Sequence, residues 1–178
     1  MKRARRERST LILVLGGAAS GKSRLALDLA GEAGPRTFLA TGQALDREMK
    51  VRIERHQATR SPDWVTAEVP TDLAGWCNEH GRHYRTIVLD CLTLWLSNLT
   101  GKRRSDAAVS EATADLLRTI RATGARVVVV SNELGLGLVP ATKTVRAFRD
   151  LAGRVNQQVA AEADEVYLAV SGLPLRLK

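Results

Sequence analysis

The segment Gly16-Gly17-Ala18-Ala19-Ser20-Gly21-Lys22-Ser23 holds the residues whose types and spacing most directly specify chemistry. Glycine, four residues, then Gly-Lys-Ser is the full pattern of a loop that cradles phosphate. The glycines let successive backbone N–H groups turn inward on phosphate oxygens. Lys22 then supplies a cation for β- and γ-phosphates, and Ser23 a hydroxyl for magnesium. Such a loop works only between a buried strand and a helix, whose N-terminus adds about half a positive charge. The chain meets that condition: the apolar run Leu11-Ile12-Leu13-Val14-Leu15 precedes the loop, and Leu25, Leu29 and their neighbouring alanines follow it.

Asp90 is a second chemical candidate, because it ends another apolar run, Thr86-Ile87-Val88-Leu89. Two readings stay open for it: an aid to magnesium or nucleotide, or a carboxylate capping the next helix. A third candidate is His56. It lies eleven residues after Leu45, which is about 20° away around a helix. Leu45, Met49, Ile53, His56 and Arg60 therefore share one stripe that begins apolar and ends basic. A histidine that attacks phosphorus must be neutral. Arg52, Arg55 and Arg60 surround it in sequence, and like charge disfavours the imidazolium. Spacing alone equally describes a solvated surface histidine, which is also the reading for His80 and His83.

The elements that must position these groups follow from the apolar pattern. With 178 residues and 44% apolar content the chain has the size and composition of one globular domain. No apolar run approaches the roughly 20 residues of a membrane helix. The net charge is +8, and residues 1–8 contribute five basic side chains against Glu7, half of that excess. With aromatics at 4% and the rest of the charge dispersed, nucleotide phosphates account for it better than nucleic acid. Cys77 and Cys91 have no metal-ligand spacing and read as reduced thiols, so cytoplasmic residence is expected.

Strands are expected at Leu11–Leu15, Thr37–Ala40, Trp64–Glu68, Thr86–Asp90 and Arg126–Val130. Helices are expected from Lys22 to Gly34, Leu45 to about Thr59, Pro70 through Trp76, Asp106 to Thr123 and Thr142 to Ala163. No element is assigned between Asp90 and Asp106. Glu165–Val170 and Leu173–Leu177 flank Ser171-Gly172 as a terminal hairpin. Alternating strands and helices imply a parallel sheet with ligands at the strands' carboxyl ends, where the loop Leu134–Ala141 also falls. Residues 1–9 read as a basic tail and 10–178 as a single domain.

Several further segments, taken in order, resemble one known family. They are Gly16-Gly17-Ala18-x-Ser20-Gly21-Lys22-Ser23-Arg24, Ala40-Thr41-x-Gln43-x-Leu45-Asp46-x-Glu48-Met49, Arg52-Ile53-x-x-His56 and Trp64-x-Thr66-Ala67-Glu68. Later come Asn132-Glu133-x-Gly135-x-Gly137-x-Val139-Pro140 and Phe148-Arg149-Asp150-x-Ala152-Gly153-Arg154-Val155-Asn156-Gln157. Over nearly its whole length the chain resembles the bifunctional adenosylcobinamide kinases / adenosylcobinamide-phosphate guanylyltransferases of cobalamin biosynthesis.

The resemblance implies an α/β fold, a P-loop NTPase (RecA-like) three-layer sandwich. Its sheet would be mainly parallel with a C-terminal antiparallel hairpin strand. It implies phosphoryl transfer to the aminopropanol hydroxyl of adenosylcobinamide, then GMP transfer from GTP through a guanylylated histidine matching His56. Lys22 joins His56 as catalytic. Nucleotide contacts fall on Gly16, Gly17, Ala18, Ala19, Ser20, Gly21, Lys22, Ser23 and Arg24, on Ala40, Thr41 and Gly42, on Gln57, Ala58, Thr59 and Arg60, and on Glu68 and Asp90. Ser23 and Asp90 would hold Mg2+, with GTP and ATP as substrates and a homo-oligomer, a trimer, as the assembly. The chain departs from the family's usual residues at Ala19, commonly arginine, Gly42, commonly serine, and Asp90, commonly glutamate.

Two other functions fit the phosphate loop alone: a small-molecule kinase without nucleotidyl transfer, and a non-enzymatic nucleotide-dependent binding module. Asn132 and Glu133 read either as groups that orient acceptor or metal, or as turn and cap residues. Arg149, Arg154 and Asn156 suit substrate or subunit contact equally. The stripe Val145, Phe148, Ala152, Val155, Val159 reads as core, with a subunit interface as the other reading.

Overall fold

The computed structural model describes residues 9–44, 47, 50, 51, 53, 54, 61–101 and 105–178. In chain order the strands are β1 (Thr10–Gly16), β2 (Arg36–Ala40), β3 (Trp64–Glu68), β4 (Thr86–Asp90), β5 (Arg126–Asn132), β6 (Glu165–Val170) and β7 (Leu173–Arg176). The helices are α1 (Lys22–Ala30), α2 (Leu73–His80), α3 (Leu92–Gly101), α4 (Asp106–Thr123) and α5 (Lys143–Glu162). The strands form one sheet in the order β3-β2-β4-β5-β1-β6-β7. All pairings are parallel except β6 with β7. The expected fold class holds.

The continuous apolar runs are explained by burial on both faces. Leu11, Leu13 and Leu15 of β1 and Val127 and Val129 of β5 point into a core shared with α2, α3, α4 and α5. Ile12, Val14, Val128 and Val130 point the other way, onto Ala26 and Ala30 of α1. The alternation is that of any strand, with both sides apolar here because helices cover both.

β6 and β7 are joined by Ser171 at φ 52° and Gly172 at φ 81°. Two left-handed residues in a two-residue turn match the twist of the flanking strands. Ser9 is buried, and its carbonyl accepts from Arg121 Nη1 at 2.6 Å, so packing begins one residue before β1.

α3 is the element that the sequence pattern left unassigned. Leu92, Trp95, Leu96 and Leu99 are buried at helical spacing. Leu94 lies against the other core cluster and interrupts the polar side that includes the exposed Ser97 and Gly101, which blurs the helix's period. Each large buried side chain contributes on the order of 1.5–3 kcal/mol. Trp95 adds a hydrogen bond from Nε1 to the Thr71 carbonyl at 2.8 Å. Of the segment expected as a helix from Leu45 to Thr59, Arg47, Lys50, Val51, Ile53 and Glu54 are helical. The rest of it, with His56, Gln57, Ala58, Thr59 and Arg60, lies outside the described residues. The α5 stripe divides: Ala152, Val155 and Val159 are core and Phe148 packs against them, whereas Val145 in the first turn is exposed.

Candidate nucleotide site

The phosphate loop bridges β1 and α1, and tertiary contacts shape it from two sides. Behind it, Gly172 N donates to the Ser20 carbonyl at 2.9 Å. A Cβ on Gly21 would come within 3.0 Å of Gly172 Cα. Beside it, Glu133 N donates to the Gly16 carbonyl at 3.0 Å. Gly16 has no room for a side chain: a Cβ there would meet Ser20 Oγ at 2.4 Å and the Ala169 carbonyl at 2.9 Å. Gly21, at φ 90°, takes a backbone conformation that side chains resist.

The start of α1 differs from those of α2, α4 and α5. Asp72 caps α2 through Gly75 N, Ser105 caps α4 through Ala108 N, and Thr142 caps α5 through Val145 N. α1 begins at Lys22, with Gly21 at the N-cap and no side-chain cap. Its first N–H groups are therefore left to an anion, which the helix dipole also favours. Lys22 is buried, with Nζ donating to the Gly17 carbonyl at 3.0 Å inside the loop. Gly17, Ala18 and Ala19 are exposed at the crest, and Arg24 is exposed on the first turn of α1.

The remaining described positions of the predicted site fall along the same edge of the sheet. Ala40 is in register with Glu68 on one side and Asp90 on the other. Gly16 is in register with Asn132. From β1 to β2 is three strand steps, about 14 Å at the usual spacing of about 4.8 Å. Glu68 is one strand further out and exposed.

Fixed hydrogen bonds hold the Ala40–Gly42 segment. Thr41 N donates to the Asp90 carbonyl at 3.2 Å, and Val69 N to the Ala40 carbonyl at 2.8 Å. The buried Thr41 hydroxyl donates to the Cys91 carbonyl and accepts from Cys91 N, each at 2.8 Å. Asn98 Nδ2 donates to both Thr41 O and Pro70 O at 2.9 Å. A Cβ at Gly42 would meet only Leu94 and Ile53 side chains at ordinary contact distance, so space does not demand glycine there.

Sequence reasoning missed the residues of α3 that organise this edge. Besides Asn98, Thr93 Oγ1 accepts from Asn132 N at 2.9 Å and lies 3.4 Å from Ser131 Oγ. Asn156 Nδ2 of α5 donates to the Asn132 carbonyl at 3.1 Å. A helix-level reading of residues 91–101 would have exposed Thr93 and Asn98 as polar groups in an apolar element, the signal that points to fixed partners.

Burial raises the Cys91 thiol to about 11, with Asp90 acting in the same sense and Lys22 opposing it. Burial alone lifts Cys77 to about 12. Both thiols stay protonated at neutral pH and are poor nucleophiles. Among the described residues no group of three or more His, Cys, Asp and Glu could hold a metal. Magnesium held jointly with substrate phosphates needs few protein oxygens, which is the chemistry of a hydroxyl and a carboxylate such as Ser23 and Asp90.

A parallel sheet, an uncapped glycine-rich strand-to-helix loop and its buried lysine define a P-loop NTPase domain. Solved structures agree at the level of fold. A KaiC-like protein from Pyrococcus horikoshii superposes with a TM-score of 0.51 at 12% identity, over 90% of this chain and 71% of that one. The P4 protein of bacteriophage phi6, solved with ADP, gives 0.50 at 17% identity, over 93% of this chain and 52% of that one.

Sequence narrows the class. Residues 12–177 match the family described as cobinamide kinase / cobinamide phosphate guanyltransferase, and the chain belongs to it. The bifunctional adenosylcobalamin biosynthesis protein CobU of Escherichia coli is 39% identical, over 94% of this chain and 99% of its own. CobU of Salmonella typhimurium is 41% identical with the same coverage, and CobP of Pseudomonas aeruginosa is 42% identical over 93% and 96%.

Proposed function

We propose that this protein phosphorylates adenosylcobinamide with a nucleoside triphosphate. It then transfers GMP from GTP to the product through a guanylyl-His56 intermediate, giving adenosylcobinamide-GDP and pyrophosphate in the nucleotide-loop stage of cobalamin biosynthesis. The observation that carries this reading is the uncapped start of α1 with Lys22 buried in its loop, in a chain of this family.

The loop and Lys22 take the β- and γ-phosphates, and fixed N–H groups receive charge as it develops on them. Ser23 and Asp90 would hold Mg2+, which would supply charge neutralisation to the triphosphate. In the kinase step the acceptor hydroxyl attacks the γ-phosphorus, and the bond to the β-phosphate oxygen breaks. In the guanylyl step a neutral His56 ring nitrogen attacks the α-phosphorus of GTP. The N–P bond forms as the bond to pyrophosphate breaks. A phosphate oxygen of the phosphorylated acceptor then attacks the same phosphorus and returns the imidazole.

Arg52, Arg55 and Arg60 lie within four residues of His56 in sequence. Their like charge keeps the imidazole neutral and offsets charge on the α-phosphate. The Ala40–Gly42 segment, Gln57 to Arg60 and Glu68 serve the nucleoside. Leu136, Leu138 and Val139 are 81%, 96% and 71% exposed, and that apolar run supports a homo-oligomer, which the family resemblance makes a trimer. Among the described residues no helix is long and apolar enough to cross a membrane. Reduced buried thiols and triphosphate substrates support the cytoplasm as its location.

Two labels test the proposal. With γ-labelled triphosphate, adenosylcobinamide should acquire label. With α-labelled GTP, adenosylcobinamide phosphate should acquire it and release unlabelled pyrophosphate. Label from the first and none from the second would reduce the protein to a kinase.

A further inference from the structure

A cavity of about 590 Å³ opens beside the phosphate loop, between α5 and the carboxyl ends of β1 and β5. Its walls include Leu15, Glu133, Arg149, Gly153, Arg154 and Asn156. Leu15 directly precedes the loop, and Glu133 N is the donor to the Gly16 carbonyl, so the cavity adjoins the loop's first residue. From these contacts we infer that this cavity receives the acceptor, binding a carboxamide-bearing edge of the cobinamide. The inference rests on the function proposed above and adds to it the place where the acceptor docks.

Three observations carry it. Gly153 sits inside the 20-residue helix α5, where glycine is unfavourable relative to alanine. Packing does not require it, since a Cβ there would meet nothing within 4 Å. What glycine does at this position is keep the cavity wall bare. Asn156 is 5% exposed; its Nδ2 is bonded to Asn132 O, while its Oδ1 is buried with no donor. A buried acceptor without a partner is unfavourable, and an approaching N–H group would relieve it.

The lining is also balanced in charge, with Arg149 and Arg154 against Glu133 and Asp150. A triphosphate would favour excess positive charge, as the phosphate loop provides. A neutral ligand that both donates and accepts, which is what a carboxamide does, fits the balance. Arg149 is lightly engaged within the chain, its Nη1 lying 3.5 Å from the Leu138 carbonyl and its Nε 3.8 Å from Asp150. Reorienting it toward a ligand carbonyl breaks little.

Equilibrium dialysis of the full chain against cobinamide, followed by its visible absorbance, reads acceptor binding without requiring turnover. Magnesium-GTP affinity is measured in parallel. Gly153→Met should weaken cobinamide binding by about tenfold or more, the loss of one or two contacts, and leave GTP affinity unchanged. Its melting temperature should not fall, because methionine suits a helix better than glycine. Arg149→Met, which changes no backbone preference, should weaken cobinamide binding in the same selective way.

Cobinamide binding equal to wild type in a folded Gly153→Met or Arg149→Met protein overturns the inference. So does a selective loss of GTP affinity, which would make the cavity a nucleotide site. Failure of the proposed function looks different: cobinamide binds at this cavity, and neither label is transferred.

Discussion

Two loops leave adjacent strands at the same level of the sheet, since Gly16 of β1 is in register with Asn132 of β5. The first is closed around a buried lysine and buttressed by Gly172 and Glu133. The second, residues 133–141, carries exposed leucines. Its return is tied to α5 by Arg146, whose Nη1 donates to the carbonyls of Pro140 at 2.9 Å and Ala141 at 2.7 Å. The first loop must present fixed N–H groups at a defined spacing, so nearly every residue in it is constrained. Beyond Glu133 the second has only to leave the sheet and start α5, so the exposed side chains of Leu136, Leu138 and Val139 are available to a partner or substrate. Neighbours in the fold thus differ in how far each tolerates change.

The largest expected effect is in the first loop. Lys22→Ala should fold as wild type and lose at least about 100-fold in both transfers, the scale of removing one essential charge stabiliser. Steady-state rates with a melting curve check this, and near-normal rates in a folded variant would erase the distinction between the loops.

Gly16→Val should come next, because its side chain collides with Ser20 and the Ala169 carbonyl. A loss of about 1–3 kcal/mol in denaturant unfolding is expected, with nucleotide binding falling alongside. The smallest effect belongs to the second loop. Leu138→Ser should alter chain stability by no more than about 0.5 kcal/mol, as for exposed positions generally. Sedimentation should nevertheless shift it toward smaller species, and an unchanged profile would remove that loop from the subunit contact.

The same contrast governs what the sequence could show. The phosphate loop is legible because its constraints are local: glycines for backbone shape, a lysine for charge, a strand and a helix at fixed offsets. The strands are legible because burial on both faces leaves continuous apolar runs. α3 was not, since Leu94 packs on the second core cluster and interrupts the face that polarity would have marked.

The roles of Thr93, Asn98 and Asn156 depend on partners distant in sequence: Asn132, then Thr41 and Pro70, then Asn132 again. No spacing rule encodes such pairings. The even period of the α5 stripe misled only at Val145, where the helix begins beyond its apolar partners and the side chain is 51% exposed.

On the proposed function, one chain with one phosphate loop performs phosphoryl transfer directly and nucleotidyl transfer by way of His56. The most direct test is to incubate wild type and His56→Ala with α-labelled GTP and magnesium, then map the labelled peptide. Wild type should carry label on the peptide containing His56, through an N–P bond stable to alkali and broken by acid. His56→Ala should carry none and retain the kinase step, since the γ-phosphoryl group passes straight to a hydroxyl. Acid-labile label persisting in His56→Ala, or mapping to another residue in wild type, would contradict the account.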